Sequence, residues 1–130
     1  MVKSIYPERR RKILVIDDET HIADGFKVIL EASGSFDVAT AYSGADGVSK
    51  AKQQNFALVI TDFHMPGMDG EDVLDALKGM DPQIPVLVFS IYHDDDSEIN
   101  SRIRGKADAI LEKPINNEQL QQTIERFIGG

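Results

Sequence analysis

The sequence predicts a doubly wound α/β fold, a three-layer sandwich built on a parallel sheet. Three observations carry this. Short runs that are apolar throughout recur along the chain, and strands of that kind are covered on both faces. Between them lie helix-length segments with apolar residues at three- and four-residue spacing. The alternation of strand and helix is made five times, and repeated crossovers of this sort give parallel strands with right-handed connections.

The elements follow in order. Ile13-Leu14-Val15-Ile16 is the first apolar run. Residues 19–33 place Ile22, Phe26, Ile29 and Leu30 at helical spacing, with Gly34 as the stop. Phe36 to Ala41 reads as a second, weaker strand, and Ser43 caps a helix running to about Gln54. Ala57 to Ile60 is the third run. Residues 69–80 form the third helix, with Val73, Leu74 and Leu77 inward. Pro85 to Phe89 is the fourth run. Residues 94–105 make a poor helix, with only Ile99 and Ile103 to bury, so it should be labile. Ala109-Ile110-Leu111 is a short fifth strand. Asn116 or Asn117 caps a last helix carrying Leu120, Ile124, Phe127 and Ile128 on one face.

Composition narrows the function. The chain has 130 residues, 42% hydrophobic and 28% charged, which suits one domain with a real core. Residues 1–11 read as a lead-in and 12–130 as the domain. There is no cysteine, so disulfides and thiolate metal sites are excluded. No apolar run is long enough to cross a bilayer, and the basic start lacks the apolar stretch of a secretory signal. A cytoplasmic protein without a membrane partner is expected. The net charge of −8 argues against nucleic-acid binding by this chain. The basic cluster Arg9 to Lys12 is read as a solvated lead-in rather than a nucleic-acid arm.

The apolar runs end in polar residues. The first ends in Asp17-Asp18, the third in Asp62, the fourth in Ser90 and the fifth in Lys113-Pro114. In a parallel sheet all carboxyl ends share one edge, and open α/β sheets bind ligands on that edge where strand order reverses. Taken singly, each residue has a plain alternative: an Asp after a strand caps the next helix, a Ser turns the chain, a Lys-Pro step is a surface turn. Jointly they gather three carboxylates, a hydroxyl and an ammonium at one rim. Like charges about 4 Å apart cost roughly 1–4 kcal/mol per pair, so cations must compensate. Lys113 supplies one charge. Oxygen-only ligands suit a hard divalent ion such as Mg²⁺. Such a site fits phosphoryl transfer, with Asp62 as a covalent nucleophile.

These motifs, ILVIDDE at 13–19, LVITDFHMPGMDG at 58–70, PVLVFS at 85–90 and EKPI at 112–115, resemble the response-regulator receiver family of two-component phosphorelays. The resemblance runs from about Lys12 to Ile128. It implies a CheY-like, flavodoxin-like (βα)₅ sandwich with sheet order 2-1-3-4-5. It makes Asp62 the phospho-acceptor, Asp18 a direct Mg²⁺ ligand and Asp17 an outer-shell partner through water. Asp62 adds a side-chain oxygen and His64 its backbone carbonyl. Ser90 and Lys113 bind the phosphoryl group, and a cis Lys113–Pro114 bond aims the lysine inward. The implied donor is a sensor histidine kinase or phosphotransfer protein. The implied receiver of the signal is an output domain or downstream protein, read from the face of the fourth helix, fifth strand and fifth helix. A monomer or a phosphorylation-dependent homodimer is expected, with self-catalysed phosphorylation and dephosphorylation but no independent turnover.

Two positions depart from the family. Ile110 stands where members usually carry Tyr or Phe, and Ile91 where they carry a small residue. Ile110 therefore does not supply the usual aromatic readout, and Tyr92 or His93 is the alternative source, against a plain reading of both as loop residues near the site mouth. Tyr92 and His64 occupy positions that tune dephosphorylation in the family, while His93 reads as a loop residue. Asp94 to Asp96 read as a helix cap, and Arg102, Arg104 and Lys106 as a solvated basic face. The departures motivate an alternative, a pseudo-receiver that binds protein without phosphorylation. A dehalogenase-like phosphatase would want a second Asp where His64 stands, and a nucleotide fold would want a Gly-rich first loop. Either a stand-alone receiver or the front of a longer regulator fits the sequence.

Overall fold

A computed structural model of the chain describes residues 10–90, 101–112 and 116–128. Five strands form one sheet: β1 (Arg11–Ile16), β2 (Phe36–Ala41), β3 (Leu58–Asp62), β4 (Val86–Ser90) and β5 (Ala109–Glu112). All pairings are parallel and the order is β2-β1-β3-β4-β5, as expected. The helices with described bounds are α1 (Thr20–Glu31), α2 (Gly44–Gln53), α3 (Gly70–Met80) and a C-terminal helix (Asn117–Ile128).

Alternation along each strand explains why the runs are apolar throughout. Ile13 and Val15 of β1, Leu58 and Ile60 of β3, and Leu87 and Phe89 of β4 join a core with Leu30 of α1 and Leu120 and Ile124 of the C-terminal helix. Leu14, Ile16, Val59, Val86 and Val88 face the other way, into a core with Val73, Leu74 and Leu77 of α3 and with Ile103. A period-2 strand with helices on both faces needs apolar residues at every position. Phe26 stacks on Phe89, ring centroids 4.8 Å apart, joining α1 to β4.

Boundaries shift for local reasons. β1 starts at Arg11, because Arg11 and Lys12 pair with Phe36 and Asp37 of β2 while their side chains stay in solvent. β3 and β4 run through Asp62 and Ser90, so two of the predicted site residues are themselves strand residues. Ser43 caps α2 by accepting from the Asp46 N–H. Asn116, not Asn117, caps the last helix: its side chain accepts from the Gln119 N–H at 2.7 Å.

β5 corrects one expectation. Its residues alternate between half-buried and exposed, and Ile110 is 37% exposed. It is an edge strand, so full cover on both faces does not extend to it. Of the predicted helix at 94–105, residues 101–103 are helical, Ile103 is fully buried, and Gly105 ends the segment with a positive φ of 85°. Ile99 and Asp94 to Asp96 lie outside the described residues, as do Ile91, Tyr92 and His93.

Candidate functional site

The chain steps from β1 outward to β2, then back across to β3, so strand order reverses between β1 and β3. That crevice is where an open sheet binds ligands. Asp17 and Asp18 follow the last residue of β1, Asp62 ends β3 and Ser90 ends β4. Carboxylate oxygens of Asp17, Asp18 and Asp62 lie within 4.8 Å of one another. Asp17, Asp62 and Ser90 are buried, at 1%, 5% and 1% exposure, whereas Asp18 is exposed. The three predicted acidic residues thus come together, with Ser90 at the end of the adjacent strand. Lys113 and the Lys113–Pro114 bond lie outside the described residues.

Asp17 is fixed from two sides. Its N–H donates to the Ala41 carbonyl at 3.0 Å, and its Oδ1 accepts from the Glu19 N–H at 3.0 Å. Asp17 is not the helix cap that an Asp after a strand suggests: Glu19 is the residue before α1, with no side-chain cap, and Asp17 closes a two-residue turn onto the Glu19 N–H while its carboxylate stays in the acidic group.

The loop after Asp62 is tightly tethered. Phe63 donates its N–H to the Phe89 carbonyl and accepts from the Gly70 N–H, both at 2.8 Å. Gly70 is required by close approach: a Cβ there would sit 2.6 Å from the Phe63 Cα and 2.9 Å from the Asp62 carbonyl oxygen. Gly67 turns the loop with a φ of 78°. Met65 anchors it in the core. Asp69 caps α3 in a reciprocal box with Asp72: each carboxylate accepts the other's N–H, at 2.9 and 3.0 Å. His64 is exposed, its ring edge-on to Phe63 at 5.1 Å, and its ring is not part of the acidic group among the described residues.

Chemically, two buried carboxylates and a third at the rim form an all-oxygen donor set that suits a small divalent cation and repels unless one is supplied. One feature was not legible in the sequence. Arg102 and Lys106, read as a solvated face, pair with α3. Arg102 donates to Glu71 at 2.6 Å, lies 3.3 Å from Asp69 and holds its guanidinium 5.5 Å over the Phe63 ring. Lys106 donates to Glu71 at 2.7 Å and to Asp75 at 3.0 Å. These hydrogen bonds hold the Glu71 carboxyl below its ordinary pKa, with Lys106 the largest contributor. Arg102 lies in the last described helical residues and Lys106 in the turn after Gly105, and nothing local to the sequence says which acidic face the two cations meet.

Comparison with known proteins gives one answer. The sequence profile of the response regulator receiver domain matches residues 13–125. The transcriptional regulatory protein ZraR of Salmonella typhimurium is 32% identical over 116 residues, which is 89% of this chain and 26% of that protein. The transcriptional regulatory protein PrrA of Mycobacterium tuberculosis is 34% identical over 120 residues, 90% of this chain and 49% of that protein. The chain therefore spans half or less of the length of these regulators. A response regulator receiver domain from Clostridium thermocellum superposes with a TM-score of 0.82 at 32% identity, covering 91% of this chain and 94% of that one. The response regulator TrrA of Thermotoga maritima, solved in complex with Mg²⁺–BeF, superposes with a TM-score of 0.80 at 27% identity, covering 90% and 98%. Among the described residues no helix is long and apolar enough to cross a membrane. Sequence match, sheet order and acidic crevice agree, and the chain belongs to the response regulator receiver domain family of two-component systems.

Proposed function

We propose that Asp62 is a phospho-acceptor, charged by a phosphohistidine of a sensor histidine kinase or phosphotransfer protein, and that residues 12–130 are the unit that does this. The observation that carries the reading is the meeting of Asp17, Asp18 and Asp62 within 4.8 Å at the switch point of the sheet, with Asp62 buried at a strand end. A carboxylate oxygen of Asp62 attacks phosphorus, the new O–P bond forms as the N–P bond breaks, and the imidazole leaves with the electron pair. Hydrolysis reverses the charge state: water attacks phosphorus, the O–P bond breaks, and inorganic phosphate and the carboxylate result.

The chain's own residues supply position and charge. Asp18, Asp62 and the His64 carbonyl would hold a Mg²⁺ ion directly, and Asp17 would act through water. The ion, when bound, neutralises the acidic group and the phosphoryl oxygens. Ser90, at the end of β4, donates its hydroxyl to a phosphoryl oxygen, and Lys113 pairs with another as a compact point charge. The tethers on Phe63 fix Asp62 from the following residue, so the nucleophile is held before the donor arrives. An output domain or downstream protein reads the face of the fourth helix, β5 and the C-terminal helix.

The test is incubation with acetyl phosphate and Mg²⁺, followed by intact mass and peptide mapping. One phosphoryl group on Asp62 is expected, absent without Mg²⁺ and absent in Asp62→Asn. A modification that persists in Asp62→Asn overturns the assignment. No modification at all favours the pseudo-receiver alternative.

A further inference from the structure

We propose that Arg102 is a positioning residue for the acceptor site, holding the loop between β3 and α3 in its metal-binding arrangement from across the fold. The inference rests on the phosphoacceptor reading and adds a residue to it.

Three contacts of Arg102 fall on or beside one loop. The guanidinium lies over the ring of Phe63, the residue after Asp62. Its Nη2 reaches Asp69 Oδ2, while Asp69 Oδ1 accepts from the Asp72 N–H, so both oxygens of the α3 cap are engaged. Its Nε donates to Glu71 Oε1, one residue into α3. The loop is therefore gripped at its start and at its end by one side chain. Arg102 is itself anchored: the adjacent Ile103 is fully buried in the core that contains Phe63, Met65 and Val73. Lys106 braces the same segment through Glu71 and Asp75. Glu71 is the shared acceptor and the least exposed of these charged side chains, at 16%. A planar fork that stacks and pairs at once is a role an arginine fills and a lysine does not.

The consequence is pre-organisation. The loop carries His64, whose carbonyl is a proposed metal ligand, and it fixes Phe63, which fixes Asp62. Loosening it adds an ordering cost to metal binding. Simple electrostatics predicts the opposite sign: removing a positive charge near an acidic site tightens a cation. The two explanations therefore separate in one variant.

The experiment compares the parent protein with Arg102→Gln and Arg102→Lys. It reads amide hydrogen exchange across residues 63–70 in metal-free protein, Mg²⁺ affinity by calorimetry, and thermal stability. In Arg102→Gln, exchange in the loop rises several-fold and Mg²⁺ binding weakens by roughly three- to tenfold. Arg102→Lys keeps the charge without the fork and recovers part of the loss. Mg²⁺ affinity that is unchanged or tighter in Arg102→Gln overturns the proposal, whether or not the variant melts earlier. Should Arg102→Gln fail to fold, the charge-preserving Arg102→Lys decides: weaker Mg²⁺ binding supports positioning and equal binding overturns it. If the parent protein takes up no Mg²⁺ at millimolar concentration, the phosphoacceptor reading falls, and this proposal with it.

Discussion

Gly70 and Gly79 sit on the same helix, and the structure gives them opposite expectations. A methyl group at Gly70 meets backbone atoms of Phe63 and Asp62, which cannot rotate away. Gly70→Ala should therefore cost about 1–3 kcal/mol in urea unfolding. At Gly79 an added Cβ meets nothing within 4 Å. Gly79→Ala should stabilise by about 0.4–1 kcal/mol, because the unfolded chain loses freedom that the helix never used. Equal effects at the two positions would contradict the described course of the loop. At this scale the site was legible to different degrees. Asp17, Asp18, Asp62 and Ser90 were found because each follows or ends an apolar run, a signal local to the sequence. Arg102 was missed because its partners lie more than thirty positions earlier, and no local pattern encodes such a pairing. The turn that Asp17 closes onto the Glu19 N–H was equally hidden, since an Asp after a strand reads first as a helix cap.

At the scale of elements, β2 shows how an exposed edge is closed. Its outward backbone groups are met by side chains from the flanking helices. Glu31 of α1 accepts from the Val38 N–H at 3.0 Å, Lys27 donates to the Val38 carbonyl at 2.7 Å, and Lys50 of α2 donates to the Thr40 carbonyl. An edge so engaged offers little to an added strand. The Val38 N–H, and after it Lys27, hold the Glu31 carboxyl below its ordinary value of 4.5. A depressed folded pKa contributes stability that is present above the unfolded value and lost as pH falls through the folded one. The urea midpoint should therefore drop as pH falls below about 4.5. Glu31→Gln should be less stable at neutral pH and show a shallower acid limb. An acid limb of equal steepness in that variant would remove Glu31 from the account. Strand existence was legible for all five elements: four carry continuous apolar runs, which survive any choice of partner, and β2, with Asp37 and Thr40 inside it, was the weaker reading. Strand ends were less so. Arg11 and Lys12 pair through their backbones while their side chains stay in water, and polarity alone reads such residues as loop.

Across the whole molecule, one sheet separates two apolar cores and presents its carboxyl edge as a single rim. The order of strands, more than any one residue, brings Asp17 and Asp18 beside Asp62, since β1 and β3 are neighbours despite the β2 detour between them. That parallel strands share one carboxyl rim follows from fold rules, whereas the order that makes β1 and β3 neighbours was implied by the resemblance. The edge position of β5, with Ile110 exposed where the family usually carries an aromatic ring, followed from the resemblance, yet its half-open burial did not follow from an apolar run. The acidic crevice as a phosphoryl site is the central claim. The most direct measurement is a crystal structure grown with Mg²⁺ and beryllofluoride. The expected result is beryllium bonded to a carboxylate oxygen of Asp62, Mg²⁺ on Asp18 and Asp62, and fluorides met by Ser90 and Lys113. Fluoride bound elsewhere, or an acidic crevice holding neither ion at saturating concentrations, would contradict it.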